Sequence, residues 1–148
     1  AGQVWVEMPT GAMDADPDVK ADFARSISRD LIPLLVGALD AATDMTVMPD
    51  ETLNGKPVQV LQFSRPAAGT LTLLVDAKTF EVRGLRYPVD GTPTAPQALE
   101  TYDDYRETPS GLRVAYKSRL ERDGAILERT VTSVFVNAAL PADAFVKK

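Results

Sequence analysis

Polar and apolar positions alternate with two different periods along the chain, and the change of period divides it. Val4, Val6 and Met8 alternate with Trp5 and Glu7, which predicts a short strand that Pro9-Thr10-Gly11 ends. Asp16 before Pro17 reads as a helix N-cap with proline in the first turn. Val19, Phe23, Ile27 and Leu31 then recur at four-residue spacing, the stripe of an amphipathic helix. Pro33 would remove a backbone bond inside a continuous helix, so a break near Asp30 to Ile32 and a second short helix to Leu39 are expected.

From Asp44 the period is two. Met45 to Leu53 and Pro57 to Ser64 flank Asn54-Gly55, the strongest hairpin signal in the sequence, and Thr70 to Val75 and Phe80 to Tyr87 flank Asp76 to Thr79 as a second hairpin. Asp90 to Pro96 is a Gly/Thr/Pro connection. Leu99 to Glu107, Leu112 to Arg122 and Ala125 to Asn137 follow as a meander through Pro109-Ser110-Gly111 and Asp123-Gly124, and Pro141 to Phe145 reads as a docked turn.

A two-residue turn at Asp123-Gly124 pairs Leu120 with Leu127, Tyr116 with Val131 and Leu112 with Phe135 on one apolar face. Arg113, Lys117, Arg119 and Glu121 fall on the other, with Arg119 opposite Glu128, so that face is expected to be wet. Seven or eight strands and one main helical segment make an α+β domain: a curved antiparallel sheet whose apolar face the helix covers. Phe23, Ile27 and Leu31 are expected to bury against Leu112, Tyr116, Leu127 and Val131, so that Phe23→Ala would cost about 3–5 kcal/mol. Core packing is the default for Trp5, Phe63, Phe80, Tyr87, Tyr102, Tyr105 and Phe135.

Composition narrows the chemistry. At 148 residues the chain is one ordinary domain, for which size scaling gives a folded surface of roughly 7,400 Å². The sequence holds no Cys and no His, which removes thiol nucleophiles, disulfides, imidazole bases and the usual zinc or haem ligand sets. A net charge of -5 argues against nucleic acid as a partner. The longest apolar run, Leu31 to Leu39, is far short of the roughly 20 residues that span a bilayer.

Three clusters imitate sites. Asp14, Asp16 and Asp18 open like a calcium loop, but Val19 stands where the loop needs Gly and Arg25 where it needs a bidentate acid, so helix capping is the better reading. Asp103 and Asp104, like Lys117 and Ser118, are strand neighbours that alternation sends to opposite faces. No catalytic residue, metal site or cofactor is therefore expected. Ser118 and Arg129 differ from these: they are the polar members of the apolar face and oppose each other in the proposed register. That places a guanidinium on a partly dry surface, either as a ligand contact or as a rim ion pair.

With strands placed, the order of segments resembles the outer-membrane lipoprotein-sorting superfamily, the LolA/LolB-like carriers. The resemblance is carried by Gly2-Gln3-Val4-Trp5-Val6 before a helix, Leu53-Asn54-Gly55-Lys56-Pro57-Val58, and Leu73-Leu74-Val75-Asp76-Ala77-Lys78-Thr79-Phe80. It continues through Tyr102-Asp103-Asp104-Tyr105-Arg106 with Gly111-Leu112, and closes on Val136-Asn137 with Leu140-Pro141 and Phe145. The same segment is similar to the C-terminal domain that follows insulinase-type zinc peptidase modules, whose zinc motif needs histidines that this chain lacks.

The resemblance implies an open half-barrel with helices in its mouth, a location in the periplasm or cell envelope, and acyl chains of lipids or lipoproteins as ligands. The expected ligand-binding residues are Leu112, Tyr116, Ser118, Leu127, Arg129 and Val131. The resemblance also implies that residues 1–148, read as a single domain, are the C-terminal part of a larger half-barrel or longer polypeptide. The strand from Gln3 to Met8 would then be an exposed sheet edge, open to self-association or to a protein partner. Two functions remain open: a non-catalytic lipid or lipoprotein carrier, or an interaction module beside a peptidase. A concavity filled by the protein's own side chains would favour the second.

Overall fold

A computed structural model describes residues 4–38, 45–65 and 68–146. Strands β1 (Trp5–Met8) and β2 (Gly11–Asp14) form a two-stranded ribbon, followed by helices α1 (Pro17–Arg29) and α2 (Leu31–Ala38). A seven-stranded antiparallel sheet then runs β3 (Met45–Leu53), β4 (Lys56–Arg65), β5 (Gly69–Asp76), β6 (Val82–Pro88), β7 (Gln97–Glu107), β8 (Arg113–Arg122) and β9 (Ala125–Thr130), in chain order. Every neighbour in this sheet is a hairpin partner, and the sheet does not close on itself: an open half-barrel with two helices, as expected.

Local chemistry explains the elements. The Asp16 carboxylate accepts the Val19 N–H at 2.9 Å, capping α1, so this aspartate is an N-cap and not a cation ligand. Asp30 leaves the helical region at ψ 129, which separates α1 from α2 and puts Pro33 in the first turn of the second helix, where its missing N–H costs no bond. At the β5–β6 corner the Asp76 carboxylate accepts the N–H groups of Lys78 at 2.9 Å and Thr79 at 3.0 Å. Phe80 there takes a positive φ of 59 and belongs to the turn, not to a strand. Those two N–H groups, Thr79 foremost, and the nearby Arg83 guanidinium hold the Asp76 pKa below the ordinary carboxylate value. The stabilisation is therefore complete above the unfolded-state pKa of about 3.9 and disappears as pH falls through the lower folded value. Asp76→Asn is expected to flatten the acid limb of the thermal midpoint against pH between about pH 5 and 2. An unchanged limb would show that the corner does not sense the charge.

The inner face of the sheet carries the core: Leu71, Leu73, Leu85, Tyr87, Ala98 and Tyr102 pack with Phe63 and with Leu34 from α2. A smaller cluster of Val58, Val60 and Leu74 lies on the other face. The helices depart from expectation in how they face this core. In α1 the stripe of Val19, Phe23 and Ile27 is turned outward, Phe23 being 51% exposed, while Arg29 is the buried residue of the helix. Leu31 is only partly buried, and the helical anchor in the core is Leu34, at 2% exposure. The reason is visible at Arg29, whose guanidinium stacks over the Tyr87 ring at 4.2 Å and fixes which side of α1 meets the sheet.

Further expectations are corrected. β2 follows β1 directly and pairs with it, Met8 opposite Gly11, so the first strand belongs to a separate two-stranded ribbon in which, among the described residues, only one of its sides is paired. Gly11 makes this reversal possible at φ 121, a conformation that L side chains avoid. The last strand ends at Thr130, not at Asn137, and Phe135, expected in the core opposite Leu112, is exposed. Phe80 is exposed too, and Phe145 in the C-terminal turn is not docked.

Candidate functional site

Helices and sheet do not meet along the whole inner face. Between them lies a cleft of about 850 Å³, within the size range of small-molecule sites. The helical wall consists of Asp22, Ser26 and Arg29 of α1, with Leu31, Ile32, Leu35 and Val36 of α2.

The sheet wall is ordered in rungs by the register. Tyr87 pairs with Ala98 below Arg29. Leu85, Glu100, Leu120 and Leu127 form the next rung, then Tyr102, Ser118 and Arg129, then Tyr105 and Ala115. Arg113, ion-paired to Glu81 at 2.6 Å, stands at the far end with Phe80 and Leu112. Leu112 and Leu127 are 42% and 65% exposed, so among the described residues no helix covers the β8–β9 side of the apolar face.

Five of the six residues expected to bind ligand, Leu112, Ser118, Leu127, Arg129 and Val131, line this cleft. Tyr116 does not line it. Strict alternation would group Tyr116 with Ser118, but Asp104, which the register places across from it, takes a left-handed φ of 55. Inward positions on β7 consequently step from Tyr102 to Tyr105, and on β8 from Ser118 to Ala115. Tyr116 instead packs under the Arg106 guanidinium at 4.5 Å, with Arg106 bonded to Asp104.

Ser118 and Arg129 meet as the register predicts. The Arg129 Nε donates to Ser118 Oγ at 3.2 Å, and its Nη2 donates to Glu100 at 3.2 Å. The rim ion-pair reading thus holds, and Glu100 is the partner that β8–β9 pairing alone could not reveal. Asp103 and Asp104 are likewise engaged separately, with Arg83 and Arg106. On the outer face a second hollow of about 530 Å³ is edged by Lys56, Arg83, Asp103, Lys117, Arg119 and Glu128, the expected wet side. Arg119 stands opposite Glu128, but its ion pair is with Glu121 at 3.0 Å.

Burial tunes the polar groups of the floor. Desolvation pushes the Tyr87 and Tyr102 hydroxyls above the usual phenol value, far above it for Tyr102, where Glu100 adds to the shift. Tyr105, also raised by burial, is pushed up to about 12 and donates its O–H to the Val82 carbonyl at 2.6 Å. These phenols therefore stay neutral at ordinary pH and line the cleft. Arg29, Glu100 and the α2 side chains are among the lining residues that sequence reasoning missed. The spacing of Asp22, Ser26 and Arg29 is as helical as that of the apolar stripe, but polarity made it read as the outward face.

No family model matches the chain, and no curated protein sequence matches it. Among the described residues no helix is long and apolar enough to cross a membrane. The solved structures include a similar fold: the crystal structure of a domain from Vibrio parahaemolyticus described as an outer membrane lipoprotein-sorting protein, at a TM-score of 0.61 and 12% identity. The match covers 94% of this chain but 61% of that one. It carries the lipoprotein-sorting side of the resemblance and not the peptidase-associated side. At this identity what the two chains share is the architecture, an unclosed antiparallel sheet with helices over its inner face.

Proposed function

We propose that this chain is a non-catalytic, carrier-like domain of the bacterial cell envelope that holds the acyl chain of a lipid or lipoprotein in the cleft under α1 and α2. The observation that carries the reading is the open apolar wall: Leu112, Leu127 and Val131 face a concavity that the protein's own side chains do not fill. Each methylene that such a wall takes from water contributes about 0.8 kcal/mol before the costs of association. The match to a lipoprotein-sorting domain supports the same reading. The Ser118–Arg129–Glu100 chain supplies a fixed polar strip across the floor, which needs no reaction to have a purpose.

Leu127→Arg places a charge on the wall without touching the buried core. It is expected to weaken binding of a fluorescent long-chain acyl probe by tenfold or more while leaving the thermal midpoint within a few degrees of the parent. Mass spectrometry of organic extracts from the purified protein should show co-purifying acyl lipids. Clean extracts together with no saturable binding of the probe would overturn the proposal.

A further inference from the structure

Of the four arginines that line the cleft, three have carboxylate partners: Arg113 with Glu81, Arg129 with Glu100 and Arg122 with Asp123. Arg29 differs from them. It is 8% exposed, the most buried cation of the described residues, and among those residues no carboxylate lies within ion-pair reach of it. Its hydrogen bond is a long one, from Nη1 to the Val89 carbonyl at 3.4 Å, and its face rests on Tyr87. The buried nitrogens without a hydrogen-bond partner among the described residues are those of Arg25, Arg65 and Arg83, so the remaining N–H donors of Arg29 are not sealed off and stand open to an acceptor in the cleft it lines. Burial also pulls the Arg29 pKa below the ordinary arginine value, outweighing the opposing effects of Tyr87 and of Asp22 on the same helix.

We propose that Arg29 is the headgroup contact of the cleft and that the ligand is a single-chain anionic amphiphile, a long-chain carboxylate whose head meets this guanidinium. The proposal rests on the lipid-binding reading and adds polarity and direction to it. Arg29 stands over the Tyr87 rung at one end of the sheet wall, and the apolar residues Leu120, Leu127, Ala115 and Leu112 lead away from it toward Phe80. β8, which supplies much of that wall, runs 10 residues, about 33 Å at the usual rise per residue. An acyl chain that crosses one leaflet spans about half of a hydrocarbon core of roughly 30 Å, so it fits along this wall with its head at Arg29. Bidentate pairing to a carboxylate is the geometry a guanidinium favours.

The test compares dodecanoate with 1-dodecanol, equal in chain and different in charge, by titration calorimetry at pH 7.5. The parent protein should bind dodecanoate at least tenfold tighter than the alcohol. Arg29→Met should bring the two within about threefold of each other by weakening dodecanoate much more than the alcohol, and Arg29→Lys should restore part of the preference. Equal affinities in the parent protein would overturn the headgroup assignment and leave acyl binding standing. A preference that survives in Arg29→Met would move the contact to another cation and overturn it too. Binding of neither compound would remove both the assignment and the lipid reading beneath it. The parent comparison needs no variant, so a folding defect in Arg29→Met cannot mask the answer.

Discussion

Leu34→Ala is expected to lower the unfolding free energy by about 2–5 kcal/mol, with a thermal midpoint lower by roughly 5–20 °C. Leu34 is the one fully buried side chain of α2 among the described residues, and it packs with Phe63, Ala68 and Leu71. Its removal leaves a cavity at the joint between helix and sheet, where the structure has little else to close the gap. The matched control is Phe23→Ala. Because Phe23 is half exposed on the outward stripe, its loss should change stability by no more than about 0.5–1 kcal/mol, against the 3–5 kcal/mol that the stripe alone predicts. Chemical denaturation of both variants checks the pair. A larger effect at Phe23 than at Leu34 would mean that α1 presents its apolar side to the sheet in solution.

The second large effect is expected at Gly69, where β5 begins. Its φ of +73 is a left-handed conformation, and a Cβ there would lie 2.3 Å from the Gly91 carbonyl oxygen and 3.2 Å from Pro88 Cγ. The conformational cost of alanine is about 1–2 kcal/mol. The contact with Gly91 adds to it, because the opposing atom is backbone and has no rotamer to yield. Gly55→Ala provides the reference: φ is +76 and nothing lies within 4 Å, so only the conformational cost applies. Gly69→Ala should therefore destabilise by about 3 kcal/mol or more and Gly55→Ala by about 1–2 kcal/mol. Equal losses in urea titrations would show that the 89–96 connection moves aside without cost.

These contrasts trace which parts of the structure are legible in the residues. Tight turns are legible: Asn54-Gly55 and Asp123-Gly124 each close a two-residue hairpin, so Leu53 meets Lys56, Arg122 meets Ala125, and Ser118 finds Arg129 by counting. Facing directions further along are less so. Aspartate tolerates a positive φ better than most residues, yet nothing in Tyr102 to Arg106 marks Asp104 as the one that adopts it, and that single angle turns Tyr116 away from the cleft. Hydrophobic spacing identified α1 and its cap but misjudged its orientation, because a stripe states only that one side is apolar. The Arg29–Tyr87 stack that decides the matter joins residues far apart in sequence. For the same reason Glu100 was invisible as a partner of Arg129, since their meeting needs β7, β8 and β9 to be adjacent at once.

If the cleft holds acyl chains, as proposed, the unclosed sheet has a consequence for the range of chains it takes. In a closed barrel, strand number and stagger fix the internal diameter, and a ligand either fits or does not. Here β3 and β9 are the terminal strands and no ladder joins them, so no hoop of hydrogen bonds sets the distance between the two ends of the sheet. The gap can widen by small changes of twist shared over seven strands, with every existing strand pair kept. A molecule built this way behaves as a spring clip with adjustable jaws. On the lipid-binding reading proposed above, its selectivity for chain length or branching should be shallow while its selectivity at any fixed polar contact stays sharp.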